Sequence, residues 1–207
     1  MIEDLAAINR QLAGKTAEQI IAWAFQPSHR TLTTTTFGDR SAALLHMVTR
    51  LKPDATILWV DTGYNTSATY RFADALIEQL DLNMHIYSPE MTSVRRNVLM
   101  GGIPDIADPL HEEFTRQVKL EPFQRATNVL KPTLWLTGIR RDQSDFRRSL
   151  EVLSRTTNGY IKVAPLLNWN ENELDEYLQT HGLPNEPDYF DPTKITDARE
   201  CGLHTHI

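Results

Sequence analysis

A chain of 207 residues, 41% hydrophobic and 23% charged, can bury one sizeable core, about one domain at the usual 100 to 200 residues each. Its single cysteine, Cys201, excludes an internal disulfide and a four-cysteine cluster, and a formal net charge of −6 argues against a nucleic-acid coat. No apolar run reaches the roughly 18 to 20 residues of a membrane span, and Met1-Ile-Glu-Asp4 lacks the regions of a signal peptide. The expected compartment is therefore the cytoplasm, with neither membrane nor nucleic acid as a partner.

The first 25 residues read as helical, with Thr16 and Gln19 spaced as a capping box. Leu5, Ile8 and Leu12 share one face there, a candidate contact for a homodimer. From Arg30 to Thr36 the β-branched residues predict a strand, and Ser41 to Leu51 an amphipathic helix with Leu44, Leu45 and Val48 on one side. Thr56 to Val60 is an apolar run suited to a central parallel strand. Ser67 to Leu80 follows as a helix, Met84 to Tyr87 as a strand, Pro122 to Leu130 as a helix opened by proline, and Thr133 to Thr137 as a strand. Ile161 to Pro165 is the last short strand, and Glu171 to Thr180 the last helix, stopped at His181-Gly182. Pro184, Pro187 and Pro192 then preclude a regular helix.

This rhythm predicts an α/β fold, a doubly wound, mostly parallel five-stranded sheet with helices on both faces and a mobile C-terminal tail. The expected division is a helical segment over 1–25, a nucleotide-binding domain over 26–182, and a tail over 183–207 that carries the cysteine. Ligands of such sheets bind at the carboxyl ends of the strands, so the loops there are where chemistry is expected.

The first such loop, Thr34-Thr35-Thr36-Phe37-Gly38, offers hydroxyls and the amides of a helix N-terminus to an anion. It is equally readable as a β-branched strand with a turn glycine. Asp61-Thr62-Gly63 could hold a ribose or adenine, or form a plain Asp-capped turn. After the fourth strand, Gly138, Arg140, Arg141, Gln143 and Ser144 make a plausible clamp for a diester or mixed anhydride, against the reading of a solvated charged face. Of the 21 basic residues 15 are arginines, a bias that suits bidentate recognition of phosphate or sulfate. Arg147 and Arg148 read more easily as surface residues.

A lone cysteine is most often a small buried apolar residue. Cys201, however, sits in Glu200-Cys-Gly-Leu-His204, in a polar stretch with Arg199 before it and His204 after it. Cationic neighbours raise the thiolate fraction, and the thiolate is the nucleophile. Cys201 with His204 and His206 is a poor zinc set, so no metal is expected.

These segments together resemble the phosphoadenylyl-sulfate (PAPS) reductase family of the PP-loop, adenine-nucleotide alpha-hydrolase-like group. The resemblance runs from about Thr31 to His204 through Thr35-Thr-Phe-Gly38, Asp61-Thr-Gly-Tyr64, Thr69-Tyr-Arg-Phe72, Glu121-Pro122, Gly138-Ile-Arg-Arg-Asp-Gln-Ser144, Lys162-Val-Ala-Pro165 and Glu200-Cys-Gly-Leu-His204. It implies an oxidoreductase of sulfate assimilation, on the way to cysteine biosynthesis. Cys201 would attack the sulfur of 3′-phosphoadenylyl sulfate, giving an S-sulfocysteine and adenosine 3′,5′-bisphosphate, with Arg140, Arg141, Lys162 and a protonated His204 offsetting the repulsion between thiolate and sulfate. With no second thiol in the chain, thioredoxin or glutaredoxin would release sulfite. No bound cofactor is expected, and paired cysteines for an iron–sulfur cluster are absent from the sequence. The alternatives are a cluster-free adenylyl-sulfate reductase, a related adenine-nucleotide enzyme of the same fold, and a non-catalytic nucleotide-binding protein. Ala68 replaces a glutamate frequent in the family, and only 18 residues separate Gly182 from Cys201, fewer than in the longer reductases.

Overall fold

In the computed structural model, residues 4–156 and 159–194 are described; Arg199, Cys201 and His204 lie outside them. The helices are α1 (Leu5–Leu12), α2 (Ala17–Ala24), α3 (Ser41–Leu51), α4 (Ser67–Leu80), α5 (Ser93–Met100), α6 (Leu110–Thr115), α7 (Glu121–Leu130), α8 (Asp145–Arg148) and α9 (Glu171–Thr180). The strands are β1 (Thr31–Thr35), β2 (Ile57–Val60), β3 (Met84–Tyr87), β4 (Leu134–Leu136), β5 (Leu153–Arg155) and β6 (Ile161–Val163). They form one sheet in the order β3-β2-β1-β4-β6-β5, parallel throughout except for β5 against β6.

The chain winds outward from β1 to β2 and β3, then returns to pair β4 on the other side of β1, with Thr33 opposite both Ile57 and Leu136. Loops leaving β1 and β4 turn away from each other at this reversal, which opens a crevice at the carboxyl ends. The five strands expected are present, and the sheet is corrected to six. The sixth, β5, is three residues with only Leu153 buried, too short for alternation to show in the sequence. It forms a sheet edge, which α1 covers: the Asn9 side chain donates to Leu153 O (2.9 Å) and accepts from Leu153 N (2.8 Å).

Successive residues of a strand face opposite sides of the sheet. Ile57, Trp59, Leu134 and Leu136 pack against Ile21, Leu45, Val48, Phe72, Leu76 and Leu174 from the helices of one layer. On the other face Leu32, Leu58 and Trp135 meet Phe123 and Ala126 of α7. The N-terminal helices belong to the first layer, and the capping box of Thr16 and Gln19 is formed. Leu12 is buried there, with Leu5 and Ile8 packed on the same core. The three residues of the candidate dimer contact thus pack on their own chain, Leu12 fully and Leu5 and Ile8 in part.

Between α6 and α7 the helix widens to a π turn over Arg116–Leu120, closed by the bond from Glu121 N to Arg116 O. The cause lies in Pro122 near the start of α7. Proline has no N–H to give the carbonyl four residues earlier and crowds it, so the preceding turn opens.

Candidate active site

A cavity of about 290 Å³ lies beyond the carboxyl ends of β1, β2 and β4, at the reversal of the winding. Thr34, Thr35, Thr36 and Gly38 line it, as do Thr62, Gly138, Arg140 and Gln143. The crevice thus gathers residues from all three loops singled out by the strand pattern.

In the loop after β1, Phe37 and Arg40 take left-handed backbone angles, φ 51° and 58°. Such angles are costly for a bulky residue. The Phe37 ring is 0% exposed and meets Trp59 and Phe72 edge-on, at 4.9 and 6.4 Å. It anchors the loop from below as part of the core, and Phe37 itself is outside the cavity lining. A Cβ on Gly38 would stand 2.9 Å from the Tyr189 ring; glycine is needed there because a later segment of the chain lies on it.

The Asp61 carboxylate folds its own loop. Its Oδ1 accepts from Gly63 N (3.0 Å), Asn65 Nδ2 (2.9 Å) and Tyr70 Oη (2.7 Å). Burial, and then the bond to Asp61, push the Tyr70 phenol up to about 12. Gly63 supplies the left-handed turn at φ 78°, and it is Thr62 that reaches the cavity lining.

After β4 the arginines separate. Arg140 is buried and reaches Asp142 (3.0 Å) and Glu171 (3.5 Å). Gln143 Oε1 accepts from Arg140 N at 3.0 Å and from the Arg147 guanidinium. Arg147, expected at the surface, is 6% exposed and lines the cavity; its position one helical turn after Gln143 was the available signal. Arg148 does lie at the surface, paired with Asp145. Arg141 is spent elsewhere: it donates to Leu150 O (2.8 Å) and Asn168 (2.5 Å), outside the lining. Ser144 caps α8 through Arg147 N. Lys162 is buried on β6 with its ammonium 5.3 Å from the Trp135 ring centre, also outside the lining.

Beyond α9 the chain comes back across these loops. Asn185 accepts from Arg40 N (2.6 Å) and donates to Asp39 (2.8 Å), Thr66 donates to Asp188 O (3.4 Å), and Tyr189 covers Gly38. Asp191 accepts from Lys119 Nζ at 2.5 Å, with the two residues 8% and 2% exposed. Burial alone would raise the Asp191 carboxyl. The charge and hydrogen bond of Lys119, with two bonds from Thr193, more than offset this and hold it below the usual carboxylate range. Lys119, Tyr189, Asp191 and Lys194 all line the cavity, and none was singled out from the sequence. Residues 183–194, expected as the start of a mobile tail, cross the strand-end loops and are held there by these contacts.

The site is thus a threonine-rich, cationic cavity at strand ends, roofed by the segment that leads to Cys201. Comparison with known proteins agrees. The phosphoadenosine phosphosulfate reductase domain model matches residues 30–191. A phosphoadenosine 5′-phosphosulfate reductase of a Synechococcus strain is 38% identical over 200 residues, 95% of this chain and 84% of that protein. One from Xanthomonas axonopodis pv. citri is 36% identical over 229 positions, covering 99% and 94%. That alignment is longer than this chain, so the relative holds residues with no counterpart here. Among solved structures, a PAPS reductase from Candida auris in a phosphate complex superposes with a TM-score of 0.74 at 26% identity, covering 89% of each chain. The chain belongs to the phosphoadenosine phosphosulfate reductase family.

Proposed function

We propose that this protein reduces 3′-phosphoadenylyl sulfate to sulfite and adenosine 3′,5′-bisphosphate, with Cys201 as nucleophile and an external dithiol of the thioredoxin or glutaredoxin type as reductant. The observation that carries the reading is the cationic cavity at the strand reversal, covered by the segment that leads to the cysteine. Cys201 stands seven positions beyond Lys194, which lines the cavity. An extended chain of that length spans at most about 25 Å, so the thiol is tethered within reach.

In the first step the Cys201 thiolate forms a bond to the sulfonyl sulfur. The sulfur–oxygen bond to phosphate breaks, and its electron pair leaves on the phosphate oxygen, giving S-sulfocysteine. That oxygen gains charge in the transition state, and buried guanidinium groups such as Arg140 and Arg147 stabilise it without a strong general acid. One thiolate of the dithiol then attacks Cys201 Sγ and expels sulfite. Its partner thiol resolves the mixed disulfide, so the two electrons come from the dithiol. Arg199 and His204, the neighbours of Cys201 in sequence, are the candidates to lower its pKa.

The test is intact mass after exposure to phosphoadenylyl sulfate without reductant, with adenylyl sulfate in parallel. The expected result is a gain of one SO3 group, absent in Cys201→Ser, with sulfite appearing on addition of reduced thioredoxin. Nucleotide binding with neither adduct nor sulfite would overturn the reading. An adduct formed from adenylyl sulfate alone would move the substrate to the nucleotide lacking the 3′-phosphate.

A further inference from the structure

The cations of the cavity differ in what already holds them. Arg40 is paired with Asp39, Asp175 and Glu171, Arg140 with Asp142 and Glu171, Arg147 with Gln143, and Lys119 with Asp191. Lys194 also lines the cavity and is half-buried. Among the described residues, none gives its ammonium a hydrogen bond or an ion pair.

Its backbone, by contrast, is held firmly. Lys194 N donates to Asp191 O at 3.0 Å, and Asp191 Oδ1 accepts from both the N–H and the hydroxyl of Thr193. The other carboxylate oxygen of Asp191 sits on Lys119. Residues 191–194 therefore make one turn, pinned at its first residue by a buried ion pair and presenting a cation to the cavity at its last. A partly desolvated ammonium without a counter-charge gains most when an anion arrives. The pinning also removes much of the entropy cost of ordering a lysine on a chain end.

We propose that Lys194 binds a phosphate of the nucleotide, and that the Lys119–Asp191 pair is the anchor that positions it. The inference rests on the nucleotide reading above and adds a contact from the C-terminal segment. The shared chemistry is a phosphate dianion, which an adenine nucleotide carries at the 5′ position, the 3′ position or both. Calorimetric titration of the full chain with AMP and with adenosine 3′,5′-bisphosphate separates the two.

Lys194→Ala is expected to weaken at least one nucleotide tenfold or more while leaving the melting midpoint in place, and Lys194→Arg to restore most of the affinity. A loss confined to the bisphosphate assigns Lys194 to the 3′-phosphate, and an equal loss of both assigns it to the 5′-phosphate. Asp191→Asn is expected to lose affinity in the same pattern, and adding it to Lys194→Ala to cost little more, because the two act through one contact. Should Asp191→Asn not fold, Thr193→Val, which removes one of the bonds that shape the turn, takes its place. Wild-type affinity in Lys194→Ala overturns the proposal, and fully additive losses overturn the anchoring half of it. A wild-type chain that binds neither nucleotide removes the nucleotide reading itself, and this inference with it.

Discussion

Gly38 shows how a single position is set by a distant residue. Its backbone needs no left-handed angle, yet a Cβ there would press on the Tyr189 ring at 2.9 Å. Gly38→Ala is expected to cost about 1–3 kcal/mol, the usual range for overpacking, and to loosen the segment that roofs the cavity. Thermal melting together with nucleotide titration checks this; a variant that matches wild type in both would show that Tyr189 moves aside freely. Phe37 is the opposite case, a bulky residue held at φ 51°. Its packing against Trp59 and Phe72 offsets a backbone cost on the order of 1–3 kcal/mol. Neither role can be read locally, where Thr35-Thr-Phe-Gly38 looks like a strand end and a turn. The arginines teach the same lesson. Four fall within nine positions, and folding buries Arg140 and Arg147 while Arg141 and Arg148 engage groups outside the cavity.

At the level of elements, the π turn before Pro122 and the turn at Asp191 meet through one ion pair. The folded pKa of Asp191 is depressed, so its stabilising contribution is fully present above the ordinary aspartate range and fades as pH falls through the lower folded value. Asp191→Asn is therefore expected to be less stable than wild type at neutral pH, with the gap closing under strong acid. Denaturant midpoints measured from neutral to acid pH test it, and a gap independent of pH would show that the charge is not what matters. Elements with a clean apolar period were legible in the sequence: α3, α4 and α9 fall on the ranges expected for them. Helix α5 was not, because it buries only Arg96 and leaves Val94, Val98 and Leu99 exposed. Its apolar residues face away from the core, so no buried stripe places it in the layers of the fold.

For the molecule as a whole, the two faces of the sheet are covered unequally. Five helices contribute to the core on one side, while Phe123 and Ala126 of α7 cover Leu32, Leu58 and Trp135 on the other. With so few buried groups there, Phe123→Ala is expected to cost about 3–5 kcal/mol, a fall in melting temperature on the order of 10 °C for a chain of this size. A fall of only a degree or two in calorimetry would show that the face closes over the gap. The winding of this sheet and the placing of loops at strand ends follow from local periodicity, and these the sequence determined by itself, as its single cysteine by itself excluded an internal disulfide. Tertiary structure decided which cations line the cavity, that Lys119 meets Asp191 across 72 positions of chain, and that residues 183–194 close over the strand ends. The physical reason is that periodicity records which side of an element is apolar, whereas the fate of a buried charge depends on a partner that only folding brings to it.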